Sequence, residues 1–216
     1  MSIVATPKQE VANAITHGIG AILAIIGTVV LAQQANYIGN KRLLICFVIY
    51  GCCMTFLFAS STIYHSFQSP KTKKVLRIFD HIGIYLMIAG TYTPFLLVSL
   101  PSHWGNPLAF VIWGIAIAGI LFKLFFTGKY EWVSLASYLA MGWLVIIATK
   151  PMLDVMPVNG LWLLLAGGLC FSAGVVFYRW HSLYYHHAIW HIFVMAGGAC
   201  HYFAILLYAY PKMWVF

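Results

Sequence analysis

Charge is what this chain has least of. Only four of its 216 residues are acidic (Glu10, Asp80, Glu131 and Asp154), and charged residues of both signs make up 7% of the sequence. A soluble domain carries about a quarter charged residues, and a chain with so few cannot clothe itself in a hydrated surface. The sequence contains no Gly-x-Ser-x-Gly elbow and no phosphate-cradling glycine-rich loop, which counts against an elbow-type serine hydrolase and a nucleotide-driven pump. All five cysteines, Cys46, Cys52, Cys53, Cys170 and Cys200, sit inside apolar runs. No extramembrane disulfide framework is therefore available, and they read as small packing residues. The polar stretch 1–13 lacks the apolar core and small-residue cleavage site of a secretory signal, so the first apolar run is expected to serve as an uncleaved insertion signal.

What is present in excess is apolar surface. Hydrophobic residues make up 62% of the chain, more than a small soluble fold can hide, and a lipid bilayer is the solvent that accepts the rest. A crossing needs about 20 mostly apolar residues, and seven runs qualify, at roughly 16–36, 43–65, 79–100, 107–126, 132–150, 158–179 and 187–209. The expected fold is an all-α integral membrane protein in which residues 1–216 form one seven-helix domain with a short tail, 1–13. The breaks between runs are short, so successive helices should be antiparallel neighbours. They fall at Asn40–Arg42, Ser69–Lys74, Pro101–Pro107, Gly128–Glu131, Pro151–Pro157 and Arg179–Tyr185.

Lysine and arginine orient such a chain, because they are retained on the cytoplasmic side. The side of the N-terminal tail collects Lys8, Lys71, Lys73, Lys74, Arg77, Lys123, Lys129 and Arg179, eight of the 12; the other side collects Lys41, Arg42, Lys150 and Lys212, the remaining four. The imbalance places the N-terminus in the cytoplasm and the C-terminus outside. The net charge of +8 is accordingly orienting charge in short clusters, not a nucleic-acid surface. Trp104, Trp132, Trp180 and Trp214 near the run ends fit interfacial belts.

Ionisable groups within spans are costly and mark functional positions. There are nine histidines. His65 ends the second run, four residues after Ser61, and His187 and His191 open the seventh, four apart and so on one helical face. Asp80 begins the third run. The orientation puts His65, Asp80, His187 and His191 at one membrane level, the cytoplasmic one, although none of them was used to derive it. Three histidines are a ligand set for zinc. The alternative is that each is an interfacial residue with its polar tip among the headgroups. His81 points about 100° away from Asp80 around the helix and is left out of the site. His201 lies ~15 Å deeper than His191, too far to be a ligand, and is either cavity-lining or a satisfied core histidine. Glu10, Asn13 and His17 share a face of the first helix; they are either a solvated helix start or a polar layer closing the site. His187-Ala188-Ile189-Trp190-His191 lacks the Glu that zinc peptidases place after the first His. Pro94, in Gly90-Thr91-Tyr92-Thr93-Pro94, removes a backbone hydrogen bond inside the third run and should kink it.

These residues together resemble the hemolysin III family, the bacterial branch of the progestin and adipoQ receptor family. The matching segments are Glu10-x-x-Asn13-x-x-Thr16-His17-Gly18, Ser61 to His65, Phe79-Asp80-His81-Ile82-Gly83-Ile84, Ala89 to Pro94, and His187-x-x-x-His191 followed by His201. The resemblance implies a seven-helix fold with the N-terminus inside. It implies Zn2+ held by His65, His187 and His191, with Asp80 beside the metal and Ser61 in the same site. It also implies kinship with ceramidase-type lipid amide hydrolases among the animal relatives, and with membrane lipid and energetic homeostasis among the bacterial ones.

The expected function is that of a zinc-dependent lipid hydrolase of the bacterial cytoplasmic (inner) membrane. Asp80 would orient water and act as base, Ser61 would donate a hydrogen bond, and a membrane lipid or fatty acyl chain would lie among the helices. A non-enzymatic membrane regulator with structural zinc and a pore-forming hemolysin are the rival readings. No nucleic-acid partner is expected.

Overall fold

A computed structural model describes residues 5–210, and among these every regular element is helical. Lys212 and Trp214, counted above toward orientation and the aromatic belts, lie outside the described residues. Seven helices are long and apolar enough to cross a membrane. They are α1 (Pro7–Ile38), α2 (Lys41–Ser66), α3 (Pro70–Pro94), α4 (Ser102–Phe126), a composite fifth span, α7 (Val158–Arg179) and α8 (His186–Tyr208). The fifth span joins α5 (Glu131–Trp143) to α6 (Thr149–Val155) through a 3₁₀ segment, Leu144–Ala148.

Several helices begin earlier than the apolar runs. Thr6 caps α1 in a reciprocal capping box with Gln9, and Pro7 occupies the first turn, where its missing N–H costs nothing. The expected tail 1–13 is therefore helical from Pro7 onward. Pro70 opens α3 in the same way, so the break expected at Ser69–Lys74 is the first turn of a helix and presents Lys71, Lys73 and Lys74 on it. The expected break Pro101–Pro107 is likewise mostly the first turn of α4, which starts at Ser102. Hydropathy marks the lipid-crossing part of a helix, whereas caps and prolines mark its ends. Pro94 does interrupt α3, and the chain answers with a π-helical turn, Phe95–Ser99, that carries the span to its end.

Neighbouring spans pack on one another, and α1 also packs against α8, which brings the first and last spans together. Thr6 Oγ1 lies 3.0 Å from the Tyr184 hydroxyl, and Gln9 donates to the Tyr184 carbonyl, tying the start of α1 to the loop before α8. The centre belongs to α2 and α3: 56% and 61% of their most apolar stretches are buried, against 17% for α4, the fifth span and α7. Outer surfaces are apolar, with Ile22, Phe110 and Leu169 all exposed, as a lipid-facing surface requires. Gly83 sets the approach of α3 to α2, since a Cβ there would lie 2.9 Å from the Leu57 Cα. This contact lies about one turn from Ser61 on α2 and from Asp80 on α3.

Candidate metal centre

The buried residues of α1 run Glu10, Asn13, His17, Gly20, Ala24, Gly27, Leu31 and Ala35, the three-and-four spacing of a single helical face. The first three are polar and form the floor of a polar chamber at one end of the bundle. The end of α2 and the start of α8 supply the rest. His65 lies in the last turn of α2 and His191 in the second turn of α8, both buried, with His187 half-buried one turn earlier.

The three histidines converge. Their ligand-capable nitrogens lie within 4.8 Å of one another. Ring centroids are separated by 5.1 Å for His65–His187, 5.2 Å for His65–His191 and 4.6 Å for His187–His191.

Hydrogen bonds select the nitrogen that each ring presents. Glu10 Oε2 is 2.6 Å from His65 Nδ1, and Lys73 Nζ holds the other carboxylate oxygen at 2.7 Å. A carboxylate only accepts, so Nδ1 carries the proton and Nε2 is the free nitrogen. That Nε2 is buried without a hydrogen-bond partner among the described residues. On α8, His191 Nδ1 lies 3.2 Å from the Asn13 carbonyl and 3.1 Å from Thr16 Oγ1. The Thr16 hydroxyl donates to the Ala12 and Asn13 carbonyls, so it accepts from His191, and Nδ1 is again the protonated atom. A carboxylate or carbonyl behind a ligating imidazole is the common support of metal-binding histidines. Three imidazoles, two with their outward nitrogens already engaged and one with an orphaned inward nitrogen, suit a borderline-soft cation such as zinc.

His17 adds a fourth ring without joining the trio. It stacks on His191 at 3.5 Å between centroids and 10° between planes, and neither of its nitrogens has a partner among the described residues. Asp80, half-buried on α3, lies near the Ser61 hydroxyl and in the field of His65, Lys73 and Arg77. It is not one of the three residues whose donor atoms converge. His81 is not among the three converging residues; its Nδ1 is buried without a partner among the described residues, and its backbone carbonyl accepts the Tyr138 hydroxyl, 3.2 Å away. His201 has both of its expected attributes: its ring nitrogen reaches the Leu164 carbonyl at 3.2 Å, and it lines an apolar cavity of about 280 Å3 with Thr91, Tyr92, Trp143, Met152 and Leu161.

Two contributions escaped the sequence reading. Lys73 was counted as orienting charge, yet it clamps Glu10; the only sequence signal was a cation among apolar runs in a chain with four acids. Lys123, also counted as orienting charge, is 1% exposed and has no acid within ion-pair distance among the described residues. Conversely, Glu10 and Asn13 are buried, which rules out the solvated helix start.

Comparison with known proteins gives the same family as the motifs. The family model described as Haemolysin-III related matches residues 5–202. Hemolysin-3 of Bacillus cereus is 46% identical over 204 residues, covering 94% of this chain and 93% of that protein. The Hemolysin-3 homolog of Bacillus subtilis is 46% identical over 203 residues, covering 94% and 95%. The human monocyte to macrophage differentiation factor is 33% identical over 214 residues, covering 95% and 86%. No solved structure matches the chain.

Proposed function

The chain belongs to the Haemolysin-III related family, and from that premise we propose that it is a zinc-dependent lipid hydrolase of the bacterial cytoplasmic membrane, with its N-terminus inside. The observation that carries this reading is the convergence of His65, His187 and His191, with Glu10 and the Asn13 carbonyl engaging the outward nitrogens of two of them. His65 would hold the ion through Nε2, the atom that Glu10 leaves free. Zinc on three imidazoles supplies Lewis acidity, which polarises a carbonyl and acidifies water.

The chain's own groups supply the rest. Asp80 orients water and takes its proton, as a carboxylate beside a hydroxyl and close to the histidines can do. Ser61 donates to Asp80 or to the oxygen on which negative charge develops. Buried walls of α1, α2 and α8 exclude bulk water and strengthen each of these interactions. The apolar cavity that His201 lines is the proposed place for an acyl chain, and the proposed substrate class is a lipid amide of the ceramide type.

The second reading, a non-enzymatic regulator with structural zinc, is favoured by the near-complete burial of His65 and His191. One series of measurements separates the two. Purified protein should carry about one zinc ion, and His191→Ala should lose it; equal zinc in both would remove the metal site. Fatty acid release from ceramide that disappears in Asp80→Ala while zinc stays bound supports the hydrolase. Absence of turnover on ceramide, phospholipid and acylglycerol alike supports the regulator.

A further inference from the structure

A second polar feature lies beside the metal centre and shares Lys73 with it. Between the end of α2, the start of α3 and the end of α4 lies a cavity of about 440 Å3. One wall is cationic and hydroxylic, formed by Tyr64, Lys73, Lys74, Arg77 and Thr127; the other is apolar, formed by Ile78, Leu124 and Phe125. Phe125 is 76% exposed and Leu124 is exposed beside it, so the apolar wall continues onto the lipid-facing surface of α4.

The donors on the polar wall are only partly used. Lys73 Nζ spends two contacts on Glu10 Oε1 and the Tyr64 carbonyl, and one Arg77 nitrogen pairs with Glu131. Lys74 has no acidic partner among the described residues, and the remaining guanidinium N–H groups of Arg77 are free to donate. Lys123, buried on α4 one residue before Leu124, has no acid within ion-pair distance among the described residues. The register places it beside the cavity. A Cβ on Gly119 would meet the Tyr85 ring, and one turn further along these antiparallel helices Lys123 lies level with His81, just past Arg77. Lys74 and Lys123 are the two cations here with no acid within ion-pair distance among the described residues, and Lys74 is the exposed one that lines the cavity.

We propose that this cavity binds the phosphate of an anionic phospholipid, with the headgroup against Lys74 and Arg77 and the acyl chain over Leu124 and Phe125. Phosphate offers several acceptor oxygens to donors converging from different helices, and a guanidinium fork matches it in shape. Free phosphate shares that chemistry but has no use for the apolar wall, which is why a lipid is the occupant. On the cytoplasmic side this mouth meets the leaflet richer in anionic lipid. The site stands whether or not the metal centre is catalytic.

The test uses full-length protein in phosphatidylcholine nanodiscs titrated with phosphatidylglycerol, with bound lipid read by native mass spectrometry. Wild type should retain phosphatidylglycerol in preference to phosphatidylcholine. Lys74→Gln should weaken that retention about fivefold, the contribution of one basic residue near an anionic surface. Lys129→Gln removes the same charge from the same membrane level outside the cavity and should leave retention unchanged. Tyr64→Phe, which deletes one hydroxyl and little else, should weaken it by less than Lys74→Gln. Equal losses in Lys74→Gln and Lys129→Gln would reduce the effect to surface charge and overturn the proposal, as would the absence of any preference in wild type. Displacement of the lipid by inorganic phosphate at comparable concentration would identify a free anion as the occupant and overturn the lipid assignment. Zinc content, measured alongside, should not change in any of these variants.

Discussion

Glu10 decides which nitrogen of His65 faces the cluster, and this one contact makes a sharp prediction. Glu10→Gln keeps the size of the side chain but loses the charge that holds the Nδ1 proton. Zinc affinity measured by chelator competition should fall by about 10–100-fold, the usual effect of removing the support behind a ligating histidine. An unchanged affinity would mean that packing alone orients the ring. His17 behaves differently. Its contact with His191 is ring on ring, with neither nitrogen engaged, so His17→Phe should retain zinc at the wild-type level while His17→Ala should not. At this scale the sequence was only partly legible. Spacing and level identified His65, His187, His191 and Asp80 as candidates. They could not show that Lys73 bonds Glu10 or that Lys123 is buried, because a lysine in a short polar break looks the same whether it faces water or a carboxylate.

Helix contacts carry the geometry of the site. α2 and α3 meet at Gly83, whose missing side chain lets the Leu57 backbone approach, and again at Gly90, where a Cβ would lie 2.7 Å from the Cys53 Cβ. Small residues at such positions allow close helix packing in a bilayer, where no hydrophobic force draws helices together. Gly83→Val should therefore destabilise the detergent-solubilised protein by about 1–3 kcal/mol, the range for overpacking a well-filled contact. Thermal unfolding reports it, and zinc content should fall with it because the same contact adjoins Ser61 and Asp80. Gly39 is a separate case: it closes α1 at φ 74°, and Gly39→Ala should cost about 1–2 kcal/mol from the left-handed backbone alone, without affecting zinc. Apolar runs located every span, yet helix starts at Pro7, Pro70 and Ser102 and the 3₁₀ interruption at Leu144–Ala148 were not visible in them. Those features depend on caps, prolines and neighbouring helices, and a hydropathy window averages all of these away.

For the whole molecule, the proposed orientation makes the remaining claims one-sided and can be tested directly. Asn40→Cys, between α1 and α2, should react with a membrane-impermeant maleimide in intact cells. Lys129→Cys, between α4 and α5, should react only after permeabilisation. The reverse pattern would invert the bundle and place both the histidine cluster and the cationic cavity on the outer face. Seven crossings, their order, the charge bias between the two sides and the common level of the histidines were determined by the sequence itself. Hydropathy, length and position along a helix are local properties, and the bilayer converts them directly into depth. The motifs named His65, His187 and His191 as the ligand set; only the tertiary structure decided that their donor atoms converge, which ring nitrogens of His65 and His191 Glu10 and Asn13 engage, and that His17 stacks on His191. Those outcomes depend on how each helix is rotated about its axis. The packing of α1 against both α2 and α8 sets that rotation through contacts between residues far apart in sequence, 55 positions for Glu10 and His65 and 178 for Asn13 and His191.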